Sequence, residues 1–188
     1  MALLTSGPGA TNGVTAIATA HADSIPIVVL TGQVPTALIG NDAFQEVDIV
    51  GITRSCTKHN YLVESIADLA RILKEAFYLA RSGRPGPVLV DIPKDIASAK
   101  TDFTPPGEVH LRSYNPTYRP NQKQLREVVR LLQASERPLI FAGGGVILSE
   151  GAAELTRLAR AAAIPVTTSL MGLGAFPGSD PLFLGMIG

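Results

Sequence analysis

The chain reads as an α/β protein built of parallel sheets with helices on both faces, on three observations. Short runs at Ile25 to Leu30, Val88 to Ile92 and Ile164 to Thr168 are continuously aliphatic or β-branched, the pattern of a strand covered on both sides. Segments with apolar residues three and four apart, the spacing of an amphipathic helix, alternate with them. The composition, 46% hydrophobic against 17% charged, supplies a core and lies far from that of disordered chains.

The elements follow in order. Small and apolar residues from Ala10 to Ala22, after a Gly-Pro-Gly turn, predict a helix lying close to a sheet. Ile25 to Leu30 predicts a strand, followed by a long polar, glycine-containing loop. Ser65 to Arg81 has apolar residues at Ile66, Leu69, Ile72, Leu73, Ala76, Phe77 and Ala80 and predicts an amphipathic helix ended by Ser-Gly-Arg-Pro-Gly-Pro. Val88 to Ile92 is a second strand, closed by Pro93. Residues 97–120 hold four of the fourteen prolines and no apolar periodicity, so they read as an extended linker between a domain at 1–96 and another at 121–188. Beyond it, Gln122 to Gln133 has helical spacing, Pro138 to Ala142 predicts a strand, and Gly143 to Gly145 a tight strand-to-helix turn. Ser149 to Ala163 predicts a helix with Ser149 as N-cap, before the strand at Ile164 to Thr168. Leu3 and Leu4 run straight into the first turn, and the apolar stretch Phe183 to Gly188 lacks a polar cap. Both ends are therefore expected to be cut from a longer chain.

Sixteen Lys+Arg balance sixteen Asp+Glu, so no net field attracts nucleic acid or anionic lipid. The apolar runs are far shorter than the ~20 residues of a membrane span. A single cysteine, Cys56, cannot form an internal disulfide, and no signal-peptide pattern opens the chain. A reduced, cytoplasmic location is expected.

Ligands of open parallel sheets sit beyond the carboxyl ends of the strands, which directs attention to the loops there. The loop from Thr31 to Asp48 mixes glycine, an aromatic, an amide and carboxylates; the alternative is a solvated connection with Phe44 packed beneath it. Gly143, Gly144 and Gly145 offer backbone amides to a phosphate, or simply make a turn. Lys94 places an amine just past a strand end, where a lone lysine is commonly solvated. His21, His59 and His110 lack metal-ligand spacing.

Six segments carry a resemblance: Thr5-Ser-Gly-Pro-Gly-Ala-Thr-Asn12, Gly32-Gln-Val-Pro35, Asp42-Ala-Phe-Gln-Glu46, Arg54-Ser-Cys-Thr-Lys58, Ser82-Gly-Arg-Pro-Gly-Pro-Val-Leu-Val-Asp-Ile-Pro-Lys94 and Met171-Gly-Leu-Gly-Ala-Phe176. In this order they resemble the catalytic large subunits of acetohydroxyacid (acetolactate) synthases, which are thiamin-diphosphate-dependent enzymes. The resemblance implies the later part of a pyrimidine-binding domain joined to the start of a central, flavin-binding domain. The family reaction decarboxylates pyruvate and joins the remaining two-carbon unit to pyruvate or 2-ketobutyrate, the first common step of branched-chain amino-acid biosynthesis. By resemblance, Pro8 and Asn12 touch the pyrimidine of thiamin diphosphate, and Gln45 and Phe44 reach the reaction centre across a dimer interface. Asp23, Phe44, Arg84, Gly143, Gly144, Gly145, Ser169, Leu170 and Met171 line an FAD site, and Pro35, Ala43 and Lys94 line the substrate channel. The activating glutamate and the ligands of Mg2+ fall outside this chain, and the family's flavin site continues past Gly188. Alone, the chain is therefore expected to be inactive. A homodimer or higher oligomer and a regulatory small subunit are the partners the resemblance implies. The rival readings are another thiamin diphosphate and flavin enzyme, such as pyruvate oxidase or glyoxylate carboligase, or a non-catalytic nucleotide-binding module.

Overall fold

The computed structural model describes residues 1–187, so the apolar stretch Phe183 to Gly188 ends on a residue outside the described ones. The chain divides into two compact units, Met1–Tyr118 and Arg119–Gly188.

In the first unit, strands β1 (Ala2–Leu4), β2 (Val28–Gln33), β3 (His59–Leu62) and β4 (Val88–Pro93) form one sheet in the order β1-β2-β4-β3, all neighbours parallel. The six-residue β2 and β4 are its centre. Their side chains alternate between two cores, as the pleat requires. Val28, Val88 and Val90 pack with Val63, Ile72, Ala76 and Leu79 on one face, while Val29 and Leu89 pack with Ala10, Ile17 and Ile49 on the other. The first face is covered by α4 (Ile66–Arg81), and the second by α1 (Pro8–Asn12), α2 (Val14–Ala22) and α3 (Ile49–Thr53). The short α5 (Lys94–Ser98) follows β4.

Strand β2 starts three residues later than the apolar run predicts. Ser24 is left-handed at φ 59°, and the Ile25 amide donates back to the Ala20 carbonyl at 2.8 Å, closing α2. Pro26 then has no donor for a ladder. The helix expected over Ala10 to Ala22 is two helices meeting at Gly13. Strand β3 has no counterpart in the expectations, because His59 and Asn60 break any apolar pattern on this edge strand.

Helix α4 begins as expected: Ser65 is its N-cap, accepting from the Ala67 amide. Its far end is closed by Lys58, whose ammonium donates to the Leu79 carbonyl, to the Ser82 carbonyl at 2.7 Å and to the Tyr114 hydroxyl at 3.1 Å. A cation suits the negative end of a helix. The segment read as a linker has no helix or strand between α5 and residue 118, and Tyr114 and Leu111 hold it against the first unit.

The second unit contains α6 (Gln122–Ala134), β5 (Ile140–Ala142), α7 (Gly145–Leu148), α8 (Ala152–Ala162), β6 (Val166–Thr168) and β7 (Phe183–Met186). Its sheet, β5-β6-β7, is parallel. Ala142, Ala159, Val166 and Phe176 form its core. Ser149 does not cap a long helix. It ends α7, donating from Oγ to the Val146 carbonyl, and Glu150, left-handed at φ 57°, leads to Gly151, the uncapped start of α8. The reason is local: the Gly151 amide turns back to the Val146 carbonyl at 2.8 Å, which ends α7 and reorients the chain. Strand β6 also starts late, for the reason seen at β2. Ala163 is left-handed at φ 51°, the Ile164 amide bonds the Ala159 carbonyl, and Pro165 follows. Strand β5 begins at Ile140 and leaves Leu139 exposed.

Lys58→Met keeps the apolar stem and deletes the cap of α4. It should cost about 1.5–3 kcal/mol, the usual worth of a hydrogen bond to a charged group. The measurement is thermal unfolding of the 188-residue chain followed by circular dichroism; an unchanged midpoint would deny the cap its role.

Candidate functional site

Parallel pairing brings the carboxyl ends of β1, β2 and β4 together, and the loops that leave them meet. The turn after β1 holds Gly7, left-handed at φ 56°, with Pro8 opening α1. A Cβ on Gly7 would lie 2.5 Å from the Gln45 carbonyl oxygen, so only glycine lets the two loops touch. The Pro8 segment, expected at the pyrimidine, and the Gln45 segment, expected at the reaction centre from across a dimer interface, are thus neighbours within one chain.

The loop after β2 is braced from several sides. Asp95, at the start of α5, accepts from the Thr36 amide at 3.0 Å and the Thr36 hydroxyl at 2.5 Å. Those bonds hold the Asp95 carboxyl below the usual carboxylate range and join the regions of Pro35 and Lys94. Glu46 accepts from the Gly40 amide and, at 2.8 Å, from the Ala43 amide, and these backbone bonds lower its pKa in turn. Between the braces, Asp42 and Gln45 are left-handed at φ 52° and 59°. Phe44 is 89% exposed, so it is not packed beneath the loop. Gln45 is exposed beside it, and Lys94 is exposed after β4.

Beneath the loop lies a polar network that the sequence did not disclose. Asp91, on β4 and 1% exposed, accepts from the Thr31 hydroxyl at 2.7 Å and from Gln33 Nε2 at 3.0 Å. Gln33 Nε2 also donates to the Val47 carbonyl at 2.8 Å, and Gln33 Oε1 accepts from the Val34 amide at 2.9 Å. Burial pushes the Asp91 carboxyl up to about 6; the bonds from Thr31 and Gln33 oppose that rise, and the Asp48 charge adds to it. An apolar strand interrupted by one carboxylate was the available signal.

Asp23 and Arg84 stand elsewhere. Both precede strands, at the amino ends of β2 and β4, whereas Phe44 follows the carboxyl end of β2. Six-residue strands put about 16 Å or more between these ends, so one copy of the chain does not bring Phe44 to Arg84. Arg84 donates from Nε to Ser24 Oγ at 2.8 Å and from Nη2 to the Ala22 carbonyl at 3.3 Å, on either side of Asp23. It borders a cleft of about 430 Å³ with Lys58, Gly83, Tyr114, Pro116, Thr117 and Tyr118.

In the second unit, Gly143, Gly144 and Gly145 leave β5 against the segment that follows β6. A Cβ on Gly144 would come within 3.0 Å of the Met171 carbonyl oxygen, and one on Gly143 would lie 3.7 Å from Ser169 Oγ. The fold therefore unites Gly143, Gly144, Ser169 and Met171, with Leu170 exposed between the last two. The neighbouring Thr168 hydroxyl is buried without a hydrogen-bond partner among the described residues. Among those residues no group of three or more His, Cys, Asp or Glu side chains is placed to hold a metal ion, and no helix is long and apolar enough to cross a membrane.

Two family descriptions match this architecture: Thiamine pyrophosphate enzyme, N-terminal TPP binding domain, at residues 1–52, and Thiamine pyrophosphate enzyme, central domain, at residues 125–188. The chain belongs to the thiamine pyrophosphate enzymes. Within these enzymes it is similar to the acetolactate synthase large subunit of Buchnera aphidicola subsp. Schizaphis graminum, 52% identical over 99% of this chain and 33% of the relative. It is 50% identical to the acetolactate synthase of Arthrospira platensis over 99% of this chain and 32% of that protein. It is 51% identical to the acetolactate synthase isozyme 3 large subunit of Escherichia coli over 99% of this chain and 33% of that subunit. The chain thus spans about a third of the length of the relatives it matches. The N-terminal match takes in β1, β2 and the loop that carries Phe44 and Gln45, and the central match takes in the Gly143 turn.

Asp91 gives this thiamine pyrophosphate enzyme chain a measurable pH signature. Its folded pKa lies above the ordinary carboxylate value, so the folded state binds the extra proton between about pH 4 and 6, and the contribution of Asp91 to stability falls as pH rises through that window. Asp91→Asn keeps the shape without the buried charge. At pH 7 the variant should be the more stable by about 2–3 kcal/mol, and the gap should close near pH 4. Denaturant unfolding at both pH values gives the difference; a gap independent of pH would mean that burial does not raise this carboxyl.

Proposed function

We propose that this chain is part of an acetolactate synthase large subunit, acting on pyruvate and a second 2-ketoacid, pyruvate or 2-ketobutyrate. The observation that carries the reading is the match of about 50% to named acetolactate synthases along 99% of the chain. The exposed, braced Phe44 and Gln45 loop beside the Gly7 to Pro8 turn supports it.

The side-chain chemistry fits the cofactors. Thiamin diphosphate, when bound, supplies the electron sink for decarboxylation and carbon–carbon bond formation. Asn12 and Gln45 offer neutral amides to an uncharged aminopyrimidine, and Pro8 offers an apolar ring at the mouth of α1. Gln45 suits a centre where charge rises and falls, because a fixed charge would favour only one state. Exposure of Phe44 is consistent with its meeting a second copy of the chain in a homodimer or higher oligomer. Pro35, Ala43 and Lys94, set around the carboxyl ends of β2 and β4, line the approach for the ketoacid.

FAD is proposed as a second cofactor. In the first unit Asp23 and Arg84 would hold it, the guanidinium pairing with phosphate oxygens. In the second unit Gly143, Gly144, Gly145, Ser169, Leu170 and Met171 would hold it, and the Thr168 hydroxyl beside them, without a partner among the described residues, fits a polar ligand. Phe44 follows the carboxyl end of β2 and Arg84 precedes β4, so the two would meet different ends of an extended FAD or belong to different copies. Mg2+ is expected with the diphosphate, on ligands outside this chain. A regulatory small subunit and a cytoplasmic site of action complete the reading.

Supplied with thiamin diphosphate, Mg2+ and FAD, the isolated chain should make no acetolactate above a protein-free control. A chimera in which it replaces the matching third of the E. coli isozyme 3 large subunit should be active. There Gln45→Ala should lower carboligation about tenfold, as expected for one hydrogen bond at a reacting centre; an inactive chimera, or unchanged kinetics in the variant, would count against the reading.

Flavin affinity tests the other site. In the same chimera Arg84→Ala should raise the FAD dissociation constant tenfold or more, the equivalent of about 1.4 kcal/mol, and Lys58→Met should change it little. Equal values in a flavin fluorescence titration would remove Arg84 from the site.

A further inference from the structure

We infer that Asp91 and Gln33 act as positioning residues, a buried relay from the centre of the sheet that fixes the loop presenting Phe44 and Gln45. What each atom accepts or gives decides the geometry. The Val34 amide only donates and the Val47 carbonyl only accepts, so Gln33 must turn Oε1 to the first and Nε2 to the second. The amide has two Nε2 protons. One goes to Val47, and the other needs an acceptor in a buried place, since Gln33 is 7% exposed. Asp91 supplies it at 3.0 Å. Its second carboxylate oxygen is taken by Thr31 at 2.7 Å, which fixes the carboxylate plane.

Asp91 and Gln33 belong to neighbouring strands, where Thr31 pairs with Asp91 and Gln33 with Pro93. The relay is therefore anchored in the most extensive strand pairing of the first unit and ends on Val47, two residues from Gln45. On the other side Gly7 abuts the Gln45 carbonyl, and Glu46 binds the Gly40 and Ala43 amides. Those contacts shape the loop within itself and against the β1 turn. Gln33 reaches it from the sheet below, through a buried side chain. A polar group of this kind is costly to bury for packing alone, and replacing either partner strands the other. Neither side chain extends to the surface where Phe44 and Gln45 are exposed. Their effect on chemistry is indirect.

The test has two arms. In the 188-residue chain, amide hydrogen exchange is followed by NMR. Gln33→Met and Asp91→Leu should speed exchange at residues 43–47 at least tenfold while leaving α4 and β4 near their original protection. Asp91→Asn, which turns its carbonyl oxygen to Gln33 and its amide to the Thr31 hydroxyl, should restore slow exchange in the loop. Loop exchange unchanged in Gln33→Met, or a uniform rise across β2, β4 and α4 in both disruptive variants, would overturn the inference. Should Gln33→Met not fold, Gln33→Ala, which has neither an acceptor for Val34 nor a donor for Val47, takes its place with the same expected result.

The second arm uses the E. coli chimera and rests on the synthase reading. Asp91→Leu should lower kcat about tenfold with little change in KM, and Asp91→Asn should stay within twofold of the parent. Loss of activity in the parent chimera would fault the synthase reading and leave the exchange result standing. Altered exchange with unchanged kcat in Asp91→Leu would instead show that the relay does not serve the reaction.

Discussion

The parallel pairing of β2 with β4 is the constraint from which the rest of the first unit follows. Six residues pair with six, from Val28 with Val88 to Gln33 with Pro93, and this fixes which side chains face each layer of helices. It also fixes what happens at the strand ends. Because the strands run the same way, their carboxyl ends share one edge, and the loops carrying Pro35, Gln45 and Lys94 gather there. The amino ends gather at the opposite edge with Arg84. A shift of one residue in this register would turn Asp91 away from Thr31 and put a carboxylate among the valines.

The cost of that arrangement is concentrated in Asp91. Burying a carboxylate is unfavourable, and its raised pKa expresses the penalty. The surrounding bonds offset part of it by giving each oxygen a donor, and in return they give a solvent-facing loop a rigid foundation. Opposite chemistry acts nearer the surface: Glu46, half-buried, and Asp95, exposed, ionise readily and accept backbone amides. One loop is thus secured by an expensive buried carboxylate below and two inexpensive ones around it.

Much of this was legible in the sequence, and the remainder had physical reasons for being hidden. Continuous aliphatic runs disclosed β2, β4 and β6, and apolar spacing with Ser65 disclosed α4. Strand starts were misplaced because Ile25 and Ile164 look like strand residues while their amides close helices. The polar His59 and Asn60 concealed an edge strand, and Glu150-Gly151 concealed a helix end behind a serine that resembles a cap. The meeting of Gly7 with Gln45 and of Gly144 with Met171 depends on missing Cβ atoms, which no periodicity records. Asp91 and Thr31 are 60 residues apart, so their bond exists only through the register.

The two helix-to-strand junctions, Ser24-Ile25-Pro26 and Ala163-Ile164-Pro165, have a consequence beyond the boundaries they set. Each acts as a ruler marked by a missing donor: the isoleucine amide is spent on the helix behind it, and the proline has none to give to the strand ahead. The zero point of the strand is thus written in the backbone and does not depend on which apolar side chains follow. The ladder keeps its count whichever apolar residues follow, so the loop at the far end of the strand stays a fixed number of residues from the helix that feeds it.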